Sequence, residues 1–298
     1  MRLILGPFCG EIGWELCYWQ AHGRWLKEQT PAIEIYAVTF PGRQALYRDF
    51  ADCVVFHSNS LLRKFGRLDC YNSDGFDRKR YFSYVGKLIE EFHAYGAITT
   101  PNHNGRFYLD PSHMVFSKLE PLPNLAELVG IKEVTGDSII LFPRHRKDSR
   151  DWLEKNWEGL VDRLLETDYQ IVIAGVKDSS CLTKRTGERI INLTDLGKDS
   201  FYTLDLVLYY LSKVKFAIGS QSALPLLALH QRVPTLMWGH EKKRHEGELN
   251  YFSTPCRFIE DPGYGSTVNA VFEEFEKLRE ETEKDAHHNK LHWHGVRG

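Results

Sequence analysis

The sequence predicts an α/β protein built from two doubly wound, Rossmann-like domains facing across a cleft, and three observations carry that expectation. Short apolar runs rich in β-branched residues alternate with helix-period stretches along most of the chain, the pattern of parallel sheets with crossover helices. The stretch 216–241 holds one complete unit. It has a strand at Phe216–Ile218, a small polar turn of Gly219, Ser220, Gln221 and Ser222, an apolar helix, and a second strand at Thr235–Met237 ending at Trp238 and Gly239. Its helix is too apolar for a surface position, which implies a sheet covered on both faces. Finally, 298 residues with 42% hydrophobic content suffice for two domains of ordinary size. The expected divisions are a first domain over 1–134, a second over 135–267, and a helix with a tail over 268–298, the helix docking on a core.

Composition narrows the classes. A formal charge of −2 gives no global attraction to nucleic acid, although it permits a local basic face. No apolar run approaches the ~20 residues of a transmembrane helix, and the start MRLILGPFCGE lacks the apolar length of a signal peptide, so a cytoplasmic protein without a transmembrane segment is expected. The six cysteines are scattered without a C-x-x-C pair, the usage of buried free thiols. Neither a disulfide nor a metal site is expected.

A first strand at Arg2–Leu5 runs into GPFCGEIGWE, a glycine-punctuated loop opening a helix. Gly6, Gly10 and Gly13 allow a tight turn and close approach of a ligand. Glu11 and Glu15 therefore lie at or just past the strand's carboxyl end, where one can serve as a general base; Glu11, on the loop, is the better placed, and acidic first turns that only complement a helix N-terminus are the bland alternative. Trp14, Tyr18, Trp19 and Trp25 read as helix packing. Strands at Glu34–Val38 and Cys53–Phe56 follow, with a connecting helix expected over Pro41–Phe50. Between Leu61 and Tyr84, basic residues (Arg63, Lys64, Arg67, Arg78, Lys79, Arg80) interleave with aromatic ones, as on a solvated helix face or along a groove for a polyanion.

The second half opens on a strand at Ile139–Phe142 that empties into PRHRKDSRDW, placing Arg144, His145, Arg146, Lys147 and Arg150 at a carboxyl end. If that strand and Phe216–Ile218 share a parallel sheet, the basic loop and the Gly219–Ser222 turn point into one crevice, where ligands of such sheets collect. Ser222 can cap the apolar helix and Pro225 fits its first turn, which leaves backbone donors for an anion such as a diphosphate. Further strands are expected at Gln170–Ala174, ending at Gly175, and Ile190–Leu193, with helices over Trp152–Leu165, Tyr202–Ser212 and Val268–Lys284. The histidines of the tail, His287, His288, His292 and His294, read as a frayed end.

There is no G-x-G-x-x-G after the first strand and no Walker A sequence, which disfavours dinucleotide oxidoreductases and P-loop NTPases. An Asp-x-Asp pair suited to a metal-bridged diphosphate is also missing. With GEIGWE at Gly10–Glu15, IILFPRHRK at Ile139–Lys147, QIVIAG at Gln170–Gly175 and IGSQSALPLLALHQRVPTLMWG at Ile218–Gly239, the chain resembles the GT-B glycosyltransferases, most closely their heptosyltransferase-like branch. The order and spacing of these motifs cover nearly its whole length.

The resemblance implies a metal-independent inverting glycosyltransferase, of the hexosyl- or pentosyl-transferring class, that uses a nucleotide-sugar as substrate and needs no cofactor. The family's base falls on Glu11, a Glu in place of the more usual Asp, with Glu15 as rival. The first domain would bind the acceptor through Gly10, Gly13 and the basic residues Arg78, Lys79 and Arg80. The second would bind the donor through Arg144, Arg146, Lys147, Gly175, Gly219, Ser220, Gln221 and Ser222, with Trp238 and Glu241 toward the nucleoside. The acceptor is a glycan, or a hydroxymethylated DNA base if the basic-aromatic segment is a polyanion groove. A nucleotide-sugar-binding protein without transfer activity, or a nucleotide-sugar epimerase, would use the same donor pocket.

Overall fold

The computed structural model describes residues 1–57, 65, 75–99, 111–145, 150–176, 179–194 and 203–294, the side chains of 111 and 285–294 aside. The chain divides into two compact units. One comprises Met1–Leu125 with Asp199–Leu208, and the other Ala126–Lys198 with Tyr209–Gly298. The first division thus falls before the boundary at 134 read from sequence, and a short later segment returns to the first unit.

The first unit holds a four-stranded sheet of β1 (Arg2–Leu5), β2 (Glu34–Thr39), β3 (Cys53–Phe56) and β4 (Gly96–Ile98) in the order β3-β2-β1-β4. Every pairing is parallel, with Leu3 opposite both Ile35 and Gly96. Ile4, Leu5, Ile35 and Ala37 are wholly buried. The expected helix over Pro41–Phe50 does not form; one 3₁₀ turn at Gln44–Leu46 replaces it. The side chains of this connection are engaged elsewhere: Arg43 and Tyr47 with Glu15, and Arg48 and Gln44 with Asp205. Tertiary bonds have overridden local helical preference there.

The second unit holds a six-stranded parallel sheet of β5 (Ser138–Phe142), β6 (Gln170–Ile173), β7 (Ile190–Asn192), β8 (Phe216–Ser220), β9 (Thr235–Gly239) and β10 (Cys256–Glu260), in the order β10-β9-β8-β5-β6-β7. Strands β5, β6, β8 and β9 are buried along their whole lengths, as a doubly covered sheet requires. The crossover helix Ala223–His230 is buried from Pro225 onward. The amphipathic helix Val268–His294 extends beyond the expected Lys284, and Val271, Phe275 and Leu278 bury themselves in the core containing Ile139, Leu141 and Phe216.

Candidate active site

Each sheet has one place where its strand order reverses, and both fall on segments singled out by sequence. In the first unit the chain builds from β1 outward to β2 and β3, then returns to β4 on the other side of β1. The loop after β1 therefore leaves at a switch point, where open α/β sheets bind ligands. Gly6 begins it with φ +108°, and a Cβ there would stand 2.7 Å from the Val38 carbonyl oxygen, so only glycine fits. Its N–H donates to Ile98 O and that of Phe8 to Val38 O, tying the loop to both neighbouring strands. Among the described residues Gly10 and Gly13 are not at positive φ; Gly10 is buried and Gly13 half-buried.

The two carboxylates of this loop have different surroundings. Glu11 is half-buried at the N-cap of the turn Ile12–Trp14, in extended conformation, and its carbonyl accepts from the N–H groups of Trp14 and Glu15. Glu15 opens a π turn over Glu15–Trp19 and is 0% exposed. Its Oε1 accepts from Thr39 Oγ1 at 2.6 Å and Tyr47 OH at 2.5 Å, and its Oε2 accepts from Arg43. A buried carboxylate is tolerable only with such a set of donors. Burial, reinforced by Glu15, holds the Tyr47 hydroxyl well above its ordinary pKa, and burial pushes the Cys9 thiol up to about 12. Both stay protonated at neutral pH. Trp14 and Tyr18 stack at 4.8 Å on the less buried side of the turn, while Trp19 is in the core.

Arg78, Lys79 and Arg80 form the exposed first turn of the helix Arg78–Glu91, capped by Asp77, whose carboxylate accepts from Arg80 N at 2.9 Å. The aromatic partners of the segment are divided. Phe65 and Tyr81 are core residues and Phe82 is exposed. Arg63, Lys64, Arg67 and Tyr71 lie outside the described residues.

In the second unit β5 is laid down first, the chain proceeds to β6 and β7, and it then returns to place β8 on the other side of β5. The switch point is the gap between β5 and β8, in register from Ile139 opposite Phe216 to Phe142 opposite Gly219. Residues 143–145, the start of the basic loop, and the Gly219–Ser222 turn thus leave adjacent strand ends, for a reason of topology that no motif contains. Arg144 is not splayed into solvent. Its side chain is 6% exposed, and Nη1 donates to Asp151 Oδ1 at 2.6 Å. Arg146 and Lys147 lie outside the described residues.

On the other side, Ser220 is fully buried at the end of β8, and Ser222 occupies the N-cap of Ala223–His230 without a side-chain capping bond. Gln221 links two strand ends. Its N–H donates to Trp238 O at 2.8 Å, its Oε1 accepts from His240 N at 2.8 Å, and its Nε2 donates to Glu241 Oε2 at 2.7 Å. Gly239, at φ +153°, makes room for this: a Cβ would meet Gln221 Oε1 at 2.4 Å. Glu241 is 39% exposed and also paired with Arg244. Trp238 is placed differently from expectation. Its side chain is wholly buried against Trp152 and Trp157, because alternate strand residues face inward, so only its backbone reaches this edge. Gly175 and Gly219 serve internal packing, a Cβ at each falling 2.2 Å from Ser180 Oγ and 2.5 Å from Pro225 Cγ.

No protein-family model matches the sequence, and no curated protein matches it either. Solved structures match over most of the chain. A glycosyl transferase family 9 protein from Veillonella parvula superposes with a TM-score of 0.64 at 11% identity, covering 93% of this chain and 96% of its own. The ADP-heptose lipopolysaccharide heptosyltransferase II of E. coli gives 0.62 at 14% identity, covering 95% and 99%. A protein assigned as a UDP-N-acetylglucosamine 2-epimerase from Listeria monocytogenes gives 0.51 at 12% identity, covering 95% and 88%. By its two parallel-sheet units and their match to these structures, the chain has the GT-B fold of the family 9 glycosyltransferases and heptosyltransferases.

Proposed function

We propose that the protein is a metal-independent inverting glycosyltransferase that moves a sugar from a nucleotide-sugar to an acceptor hydroxyl. The observation that carries this reading is that residues 143–145 and the Gly219–Ser222 turn leave adjacent strand ends at the β5/β8 switch point. Cationic side chains and the N-terminal N–H groups of Ala223–His230 supply there what a departing diphosphate needs. In this reading Glu11 takes the proton of the acceptor hydroxyl. The oxygen bonds to the anomeric carbon as the bond to the diphosphate breaks, and the leaving pair stays on the phosphate oxygen. Glu15, with its carboxylate satisfied by Thr39, Arg43 and Tyr47, holds the loop rather than exchanging protons.

The acceptor is read as a glycan bound by the first unit, a hydroxymethylated DNA base being the other candidate, and the site of action as the cytoplasm. The heptosyltransferase likeness makes ADP-heptose the first donor to test. The shared fold of the Listeria protein supports epimerisation as a second reading, which would use the donor pocket without an acceptor. A panel of nucleotide sugars tests the proposal, since a ligand that binds the native state raises Tm. One nucleotide class should raise it at concentrations well above its Kd. No rise with any member would refute a nucleotide-sugar site of either kind.

A further inference from the structure

The second sheet ends in a strand whose outer edge pairs with no other strand among the described residues. β10 is last in the order and pairs with β9 alone, from Cys256 opposite Thr235 to Glu260 opposite Gly239. Pro255 O accepts from Thr235 N at 3.0 Å, and Asp261 N donates to Gly239 O at 2.7 Å. A parallel ladder uses alternate residues of a strand. Arg257 and Ile259 thus turn their N–H and C=O groups toward β9, and Cys256, Phe258 and Glu260 turn theirs outward. Both faces of β10 are nevertheless covered. Arg257 pairs with Glu274 and Glu281 of the helix Val268–His294, and Ile259 packs against the core beneath that helix. On the other face the Phe258 ring lies 5.4 Å from that of His245, in the π turn Arg244–Glu248. The edge therefore opens as a slot of about 490 Å³ between helix and turn.

An edge strand with accessible backbone groups is a template for another chain, and the charges beside it decide which chain. The slot is walled by four carboxylates, Glu246, Glu273, Glu274 and Glu281, against two cations, Lys242 and Arg257. Arg257 is engaged by Glu274 and Glu281, at 2.7 and 2.6 Å. Glu273 and, at the end of the strand, Glu260 are exposed carboxylates with no cationic partner among the described residues. Two copies joined edge to edge would bring two acidic walls together, which disfavours a second copy of this chain as the occupant. We propose that the β10 edge docks an extended, lysine- or arginine-bearing segment of another protein, which adds to the sheet as a further strand. The segment's backbone bonds to the outward N–H and C=O groups of Cys256, Phe258 and Glu260, and its alternate side chains carry the cations to the helix wall, toward Glu273.

The probe is a fluorescent peptide of alternating Lys and Val, about as long as β10, titrated with the full chain and followed by anisotropy. It should bind, and a version with Glu for Lys, or with N-methyl groups on one edge of its backbone, should bind at least about tenfold more weakly. Amide exchange should slow at Phe258 and Glu260 when the peptide is bound, with Arg257 and Ile259 protected throughout. Glu273→Lys should weaken binding about tenfold. Glu260→Pro, which removes an outward N–H that β9 does not use, should weaken it by a similar factor. Both positions are exposed, so the variants should keep the wild-type Tm, and Glu273→Lys carries the test if the proline lowers it. An N-methylated peptide that binds as well as its parent, unchanged affinity in Glu273→Lys, or no binding at about 1 mM peptide overturns the inference. A dimer of the wild-type chain that Glu260→Pro dissociates would give the edge to a second copy and overturn it as well.

Discussion

At the scale of single residues, the two glutamates of GEIGWE have different surroundings, and the proposed function gives Glu11 the chemistry and Glu15 the architecture. Glu15 sits in the core with donors to both oxygens, and Glu11 is half-buried at the N-cap of the turn Ile12–Trp14. Glu11→Gln, nearly isosteric but unable to take a proton, should lower kcat by roughly 10²-fold or more with donor affinity and Tm unchanged. Glu15→Gln should act on the fold instead, because its amide would point a donor at Arg43 and leave that charge without its carboxylate. A stability loss of about 3 kcal/mol is expected, measured by denaturant titration. A Glu15 variant with wild-type stability and the greater loss of kcat would reverse the assignment. This division could not be read from sequence, since the donors to Glu15 lie 24, 28 and 32 residues further on and no local pattern links them.

At the scale of elements, the buried crossover helix Ala223–His230 ends on a histidine that the apolar pattern alone did not explain. His230 is 3% exposed, its Nε2 lies 3.0 Å from Leu249 O, and burial lowers its pKa to about 4. The folded protein therefore holds this ring neutral where the unfolded chain would protonate it. Stability from this source is fully present above the unfolded pKa of about 6.5 and is lost as pH falls toward 4, by up to about 3 kcal/mol. His230→Gln should flatten that part of the acid limb of a Tm-against-pH curve, and an unchanged limb would contradict it.

The helix Arg78–Glu91 carries a second test. Reversing the charges of exposed Arg78, Lys79 and Arg80 should leave donor affinity, acceptor KM and salt dependence unaltered if the turn is only solvated. A higher acceptor KM with a shallower salt slope would instead place a polyanion there. Strands were the most legible elements. Runs such as SIILF and QIVI are apolar at every position after the first, as doubly covered strands must be, and the structure keeps them within a residue or two. The connection after β2 was illegible because its side chains bond to distant partners rather than along a helix.

At the scale of the whole molecule, sequence order foretold two α/β units but not which strands adjoin. The neighbourhood of β5 and β8 is separated by the whole β6–β7 excursion, yet it decides which loops meet. The return of Asp199–Leu208 to the first unit was equally hidden. There Asp205 is buried, accepting from Gln44, Arg48 and the N–H of Leu122, all far away in sequence. Burial raises its pKa from the usual carboxylate value.

The proposed activity is transfer of a sugar from a nucleotide-sugar, as distinct from binding or epimerisation. The most direct measurement follows nucleoside diphosphate release and the fate of the sugar, using the donor that raises Tm, with and without candidate acceptors and after treatment with EDTA. Release should depend on acceptor, apart from slow hydrolysis, with the sugar appearing on the acceptor hydroxyl at a rate insensitive to chelation. Conversion of the sugar without any acceptor, or activity abolished by EDTA and restored by Mg²⁺, Mn²⁺ or Fe²⁺, would contradict it.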